Sequence, residues 1–122
     1  MPSQRFTKSQ RVRRREEFQQ VFDSNYKVSC RYFTLLLAPS GASTSRLGIV
    51  ASRKLGDAVR RNRAKRLIRE VFRRLDPGPG APIDLVVIPR RELFDAPFAD
   101  LDREFRAAWR RGRTRVQPAG TR

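Results

Sequence analysis

Three segments of the chain carry apolar residues at the three- and four-residue spacing of a single helix face, which predicts three helices. These segments are residues 15–24, 58–75 and 97–111. The middle one has the clearest pattern, with an apolar side made of Ala64, Leu67, Ile68, Val71, Phe72 and Leu75. It ends before DPGPGAP at residues 76–82, where three prolines and two glycines prevent a helix from continuing.

Shorter apolar runs between these segments predict strands. Residues 31–38, RYFTLLLA, and residues 46–51, RLGIVA, flank a loop of small polar residues, so we expect them to pair as a hairpin. Residues 83–89, IDLVVIP, form a nearly continuous apolar run, which is typical of a buried strand. Because helix 58–75 joins the second and third of these runs, the pattern predicts a βαβ unit whose two strands are parallel neighbours.

Together these elements predict an α+β fold in a single domain, with an αβββαβα-like order and a central sheet packed by helices. The apolar pattern itself locates two strands ahead of helix 58–75, one fewer than this order requires. We expect residues 1–14 to form a basic N-terminal arm and residues 15–111 to form the folded domain. Residues 112–122 are expected to form a flexible C-terminal tail.

The charge balance favours a domain that binds a polyanion over a generic small domain. The chain has 28 Lys and Arg against 12 Asp and Glu, a formal net charge of +16. Such a charge attracts nucleic acid first and an anionic membrane surface second, although a surplus kept for solubility is the simpler alternative. Most of this charge is arginine, which suits RNA phosphates and bases, but a GC-rich genome would also favour arginine over lysine.

Several classes of protein are excluded by composition. The chain has no histidine and one cysteine, Cys30, so Cys–His catalysis, a Ser-His-Asp triad, an ordinary zinc site and an intrachain disulfide are ruled out. We also expect no disulfide-linked partner. No apolar stretch approaches membrane-spanning length, and the basic N-terminus lacks the apolar run of a signal peptide. A cytoplasmic protein without membrane contact is therefore expected.

The side of helix 58–75 opposite its apolar side is strongly basic. It carries Asn62, Lys65, Arg66, Arg69 and Arg73. A solvated face usually mixes charges of both signs, because like charges four residues apart repel by a few tenths of a kcal/mol. The pattern therefore favours contact with nucleic acid over a merely solvated face, but it does not separate RNA from DNA.

The run RLGIVASRKLGDAVRRNRAKRLIREVFR at residues 46–73 resembles the signature of the bacterial ribonuclease P protein family. The matching positions are Ser52, Lys54, Gly56, Ala58, Val59, Arg61, Asn62, Arg63, Lys65, Arg66, Arg69 and Phe72. The run FTKSQRVRRREEFQQVF at residues 6–22 is also similar to the opening of that family. Members of the family are protein subunits of an RNA-based enzyme that removes 5′ leaders from precursor tRNAs.

The resemblance implies two groups of binding residues. Contact with the catalytic RNA is expected at Arg53, Lys54, Arg61, Asn62, Arg63, Lys65, Arg66, Arg69 and Arg73. A cleft for the single-stranded leader is expected to involve Arg11, Phe18, Phe22, Arg31 and Phe33. Asn62 also matches a position linked to bound metal ions. From helical spacing alone, however, Phe18 and Phe22 are more often plain core residues.

The implied reaction is the hydrolysis of one phosphodiester bond by water that Mg²⁺ activates. We expect RNA phosphates to hold the metal and no protein side chain to be catalytic, because the acidic residues are scattered along the chain. The expected partners are the catalytic RNA of ribonuclease P and precursor tRNA. The resemblance also implies a left-handed crossover in the βαβ unit, against the usual right-handed preference.

Three other functions remain open from the residues. A ribosomal or RNA-chaperone protein would explain the charge and the basic helix, but not the motif at residues 46–73. A self-sufficient protein nuclease is disfavoured by the lack of histidine and of paired carboxylates. A DNA-binding module would be expected to show zinc ligands or a helix-turn-helix, and the sequence shows neither.

Overall fold

The computed structural model describes residues 11–12, 14–24, 26–41, 44–75 and 80–116. Its helices are α1 (Arg15–Asp23), α2 (Ala58–Arg74) and α3 (Phe98–Val116), and its strands are β1 (Tyr26–Ser29), β2 (Phe33–Pro39), β3 (Arg46–Ile49) and β4 (Ile83–Pro89). This is the predicted α+β fold in the predicted αβββαβα order. Residues 1–10 and 13 of the predicted arm and residues 117–122 of the predicted tail lie outside the described residues.

The four strands form one sheet in the order β1-β2-β4-β3. β3 and β4 are parallel neighbours, as the βαβ pattern predicts. The predicted hairpin between the strands at 31–38 and 46–51 is wrong, because β4 lies between β2 and β3 and pairs with both. The apolar run of β4 requires cover on both faces, and the centre of the sheet supplies it together with hydrogen-bonding partners on both edges.

The strand that the apolar pattern does not locate is β1. It has four residues, YKVS, of which Val28 alone is buried. It pairs antiparallel with β2, placing Tyr26 opposite Leu37 and Lys27 opposite Leu36. A short edge strand with one buried side chain has too weak an alternation to be recognised from its sequence.

Helices cover both faces of the sheet. On one face, α2 and α3 pack against alternate strand residues to form the larger core, which includes Phe33, Leu35, Leu37, Leu85, Val87, Ile68 and Phe105. On the other face, α1 inserts Val21 against Leu36, Ala38 and Val86. Because α1 is short, this second face is only partly covered, and a cleft can form beside the helix.

Two of the three helices end within one residue of their predicted ends, but α3 continues to Val116 rather than ending at residue 111. Gly112 explains the difference, because a Cβ atom there would lie 2.6 Å from both Leu37 methyl carbons. The helix therefore passes directly over β2 at this glycine, and Val116 beyond it is buried. A glycine in a helix pattern predicts an end, but here it allows close packing.

A network of ion pairs centred on the buried Asp84 attaches α1 to the sheet. Arg46 Nε and Nη2 donate to the two carboxylate oxygens of Asp84 at 2.9 and 2.6 Å, and Arg46 Nη1 donates to Glu17 Oε2 at 2.9 Å. Asp84 is 2% exposed, and its hydrogen bond to Arg46 is the largest contribution that holds the pKa of Arg46 above its ordinary value. Glu17 also accepts a hydrogen bond from the backbone of Arg14, so one network fixes where α1 begins.

Candidate nucleic-acid interface

The two sides of α2 lie where the helical pattern places them. The predicted apolar side is buried at Ala64, Ile68, Val71 and Phe72. Of the predicted basic side, Asn62, Arg66 and Arg69 are exposed and Lys65 is half-buried. The helix begins at an N-cap in which Asp57 Oδ1 accepts a hydrogen bond from the Arg60 backbone. A positively charged surface is thus presented by a helix anchored at its start and along one side.

The arginines of the 61–63 motif do not all point in one direction. The guanidinium of Arg63 lies 6.0 Å from the centre of the Phe94 ring, and that of Arg60 lies 5.6 Å from the same ring. Arg61 is half-buried, and its Nε donates to the Asp57 carbonyl at 3.4 Å. Arg63 therefore lies on the flank of α2 that faces Phe94, away from the side that carries Arg66 and Arg69.

The predicted basic surface is weakest at the C-terminal end of α2. Arg73 donates to both carboxylate oxygens of Glu70, at 2.6 and 2.8 Å, and Arg74 lies 3.4 Å from the same carboxylate. Glu70 therefore neutralises part of the charge at the C-terminal end of α2. At the other end, Arg53 and Lys54 are exposed in a short 3-10 turn that precedes the helix. The uncompensated charge is concentrated from this turn to Arg69.

A cleft of about 150 Å³ lies between α1, the outer edge of β3 and the basic side of α2. Its lining consists of Arg11, Val12, Phe18, Leu47, Gly48, Ile49, Lys65 and Arg69. Residues predicted for the leader, Arg11 and Phe18, thus line the same cleft as residues predicted for the RNA subunit, Lys65 and Arg69. An aromatic ring and two cationic side chains around one opening are suited to unpaired RNA.

Two residues that build the cleft could not be identified from the sequence. A Cβ atom at Gly48 would lie 2.7 Å from Phe18 Cε1, so the absence of a side chain lets the ring lie against the strand. Val12 is buried beside it, and its backbone N–H donates to the Leu47 carbonyl at 2.9 Å. A glycine within a strand pattern is the available signal, because it often marks close approach of another group.

The aromatic residues predicted for the cleft have three different environments. Phe18 is half-buried and lines the cleft, and Phe22 is 39% exposed, while Val21 between them is the core residue of α1. Phe33 is fully buried, and its ring centre lies 5.7 Å from that of Phe105 in α3. The prediction that Phe33 belongs to the leader cleft is wrong, because strand alternation turns it to the helix-covered face.

We call the face of the sheet that α1 only partly covers the open face. There, β2 presents Thr34, the neighbour of Phe33. The Thr34 hydroxyl lies 3.3 Å from that of Ser29 and accepts a hydrogen bond from Arg90 Nη2 at 3.2 Å. Arg31 is exposed in the turn between β1 and β2, with its guanidinium 5.9 Å from the Tyr32 ring, and it does not line the cleft. The sequence analysis did not identify Arg90 as a residue of this face, because nothing in the sequence around it except its charge indicates a binding role.

The predicted metal-linked residue, Asn62, is exposed on α2. Among the residues that the structure describes, no three Cys, Asp or Glu side chains are grouped so that they could hold a metal ion. Over the same residues, none of the helices is both long and apolar enough to cross a membrane.

Known proteins match this chain in both sequence and fold. The family model of Ribonuclease P matches residues 6–113. The Ribonuclease P protein component of Thermotoga maritima is 43% identical over 88 residues, covering 72% of this chain and 75% of that protein. The corresponding protein of Desulfatibacillum aliphaticivorans is 41% identical over 91 residues, covering 75% and 77%.

Solved structures agree with these matches. The RNase P protein from Thermotoga maritima superposes with a TM-score of 0.70 at 36% identity, covering 82% of this chain and 96% of that one. The Staphylococcus aureus RNase P protein gives a TM-score of 0.71 at 28% identity, covering 83% and 93%. With the motif on an exposed helix, the cleft beside it and these matches, the chain belongs to the ribonuclease P protein family.

Proposed function

We propose that this protein is the subunit of ribonuclease P that binds the catalytic RNA and holds the 5′ leader of precursor tRNA. The single observation that carries the proposal is the shared cleft, in which Phe18 from α1 lies opposite Lys65 and Arg69 from α2. An unpaired base can stack on the ring while the two cations contact the phosphates on either side.

Four of the other exposed residues predicted for the RNA subunit are assigned to the catalytic RNA. Asn62, Arg66, Arg53 and Lys54 lie on the solvent side of α2 or in the turn before it, and they do not line the cleft. Arginine suits this contact because its planar guanidinium donates two parallel hydrogen bonds to one phosphate. Lys65 and Arg69 would then lie where the leader and the catalytic RNA meet.

The protein would contribute neutralisation of charge and positioning of the leader, while the bond is broken at the RNA. Mg²⁺, when bound, activates the water that attacks the phosphodiester. Asn62 offers a single amide oxygen, whereas Mg²⁺ takes six ligands in near-octahedral geometry, so RNA phosphates and water would supply the others. The product of this endonucleolytic cleavage is a tRNA with a mature 5′ end.

Cleavage of precursor tRNA, with and without the cognate RNA subunit, tests this proposal at low Mg²⁺. We expect no cleavage by the protein alone and strong stimulation of the RNA when the protein is added, because the protein neutralises backbone repulsion that otherwise requires metal ions. Cleavage by the protein alone would indicate a protein nuclease. No effect on the RNA enzyme would instead favour a ribosomal or chaperone role.

A further inference from the structure

A second basic cluster lies at the C-terminal end of α3, far from the cleft along the sheet. It contains Arg110, Arg111, Arg113 and Arg115, and no acidic residue follows Glu104 in the helix. α3 packs over β1 and β2, whereas the cleft lies at the edge of β3. β1 and β3 are the outer strands, separated by three strand spacings, or about 14 Å.

Acidic residues neutralise the region between the two clusters. Asp100 pairs with Arg103 at 2.9 Å and Asp102 pairs with Arg106 at 3.1 Å, while Glu70 pairs with the end of α2. Arg111 forms no ion pair with any residue that the structure describes. The positive charge over the helices is therefore divided into two separate surfaces.

The second surface includes the exposed edge of β1. Arg115 Nη1 donates to the Lys27 carbonyl at 3.0 Å, which ties the end of α3 to this strand. Arg111 lies one turn earlier on the same side of the helix. Tyr26 faces the helices here, because it pairs with Leu37, and Leu37 packs against Gly112. We call Tyr26, Lys27, Arg111 and Arg115 the β1-edge patch.

Ordinary structural roles explain only part of this patch. Basic residues in the last turn stabilise a helix through its dipole, which accounts for Arg115. The same effect does not explain Arg111, nor an aromatic residue that is 38% exposed at position 26. An exposed ring beside uncompensated arginines has the chemistry of a site for unpaired RNA.

The patch lies at the outer edge of the sheet, where Lys27 points to the face that carries the cleft and Tyr26 and Arg111 lie on the side that α3 covers. Phe22, which is 39% exposed, follows Phe18 one turn later on the same side of α1. Ser24, the residue that caps the C-terminus of α1, donates its hydroxyl to the Leu37 carbonyl in β2. Lys27 lies opposite Leu36, a residue of the face that α1 covers. Aromatic and cationic side chains therefore lead from the cleft across to the β1 edge.

We propose that the β1-edge patch binds nucleotides of the leader upstream of those held in the cleft. This inference rests on the proposed function, because it requires a leader in the cleft. Tyr26 would stack on one base while Lys27 and Arg111 contact the backbone phosphates. Leader length would consequently affect affinity beyond the reach of the cleft, through contacts that do not depend on base sequence.

The test measures binding of precursor tRNA by the reconstituted complex of protein and RNA subunit, with leaders lengthened one nucleotide at a time. The variant Lys27→Gln with Arg111→Gln removes two charges from the patch. Its matched control, Arg91→Gln with Arg103→Gln, removes two exposed charges elsewhere. A second pair, Tyr26→Ile and Tyr26→Phe, removes or keeps the ring while preserving a side chain suited to a strand.

We expect Tyr26→Ile to bind short leaders as well as the original protein does and to bind long leaders at least about fivefold more weakly, the low end for one stacked base. The variant Lys27→Gln with Arg111→Gln should likewise leave binding of short leaders unchanged and weaken binding of long ones. Its log–log salt slope for long leaders should fall by about 1.4, since two phosphate contacts to a single strand are lost. Tyr26→Ile should show the same dependence on length, and Tyr26→Phe and the charge control should not.

Two results would overturn the inference while leaving the proposed function intact. One is a loss of affinity that is equal at every leader length, which would assign the patch to the RNA subunit or the tRNA body. The other is unchanged binding of long leaders. If the original complex neither binds nor cleaves a short-leader substrate, the proposed function itself fails, and the role of the patch fails with it.

Discussion

The ring of Phe18 lies directly against the backbone of Gly48, so a helix residue and a strand residue together form one wall of the cleft. The contact depends on the missing side chain at position 48, because a Cβ atom there would meet Phe18 Cε1 at 2.7 Å and Val12 Cβ at 3.0 Å. The ring could retreat only toward the opening that it lines.

Replacing Gly48 with alanine is therefore expected to narrow the cleft. Overpacking of this size costs about 1 kcal/mol of unfolding free energy, measured by urea denaturation. Affinity of the reconstituted complex for precursor tRNA should fall, and adding Phe18→Leu should recover stability but not affinity. Unchanged stability and affinity in Gly48→Ala would show that the ring does not need this position.

The buried carboxylate of Asp84 is expected to be the most important single polar group for stability. Asp84→Asn removes the charge that faces Arg46 and should lower the unfolding free energy by about 3 kcal/mol, because the mostly buried Arg46 guanidinium is left with a weaker partner. Glu17→Gln is the control at the more exposed end of the same network, and it should cost about 1 kcal/mol or less. Equal losses for the two variants would contradict this ranking.

On α2, charge that is already paired should matter less than charge that is not. Arg66→Ala with Arg69→Ala should weaken binding of the RNA subunit and lower its log–log salt slope by roughly 0.7–0.9 for each lost phosphate contact. Arg73→Ala with Arg74→Ala removes the same net charge from arginines that Glu70 partly neutralises, so its effect should be smaller. Equal slopes for the first variant and the original protein would remove this side of α2 from the interface.

Two of the three phenylalanines that were assigned to the cleft, Phe18 and Phe33, should differ in their effects. Phe33→Leu disturbs a fully buried contact with Phe105 and should lower unfolding free energy by about 1 kcal/mol without changing leader affinity. Phe18→Leu should lower leader affinity with a smaller loss of stability, since its ring is only half-buried. Weaker leader binding by a fully folded Phe33→Leu protein would restore Phe33 to the cleft.

Local patterns predicted the parts of this molecule that local physics determines. The two sides of α2 follow from helical spacing, and β4 follows from an apolar run bounded by proline and glycine. The position of β4 between β2 and β3, by contrast, depends on pairing between strands that are distant in sequence, and no single strand's sequence determines it. The handedness of the crossover through α2 stays a prediction.

The sequence predicted which kinds of residue form the candidate site, but not how the fold orients them. The basic motif marked α2 as an RNA-binding helix, but the orientation of Arg63 toward Phe94 depends on a turn far along the chain. Whether Phe33 is buried or lines the cleft depends on which face of β2 the larger core covers. A one-residue alternation decides that question, so Thr34 rather than Phe33 lies on the open face.

The network of Arg46, Asp84 and Glu17 holds the cleft together through different interactions from those that bind RNA in it. α1 is a nine-residue helix with one buried side chain, too short to be stable in isolation, and the network helps to hold it against the sheet. That network is centred on the buried Asp84, with the Arg46 and Glu17 side chains 15% and 22% exposed, so dissolved ions affect it less than they affect the attraction between exposed arginines and a phosphate backbone. High salt should thus dissociate the RNA while the protein stays folded with its cleft intact, and the protein should bind RNA again when the salt is diluted.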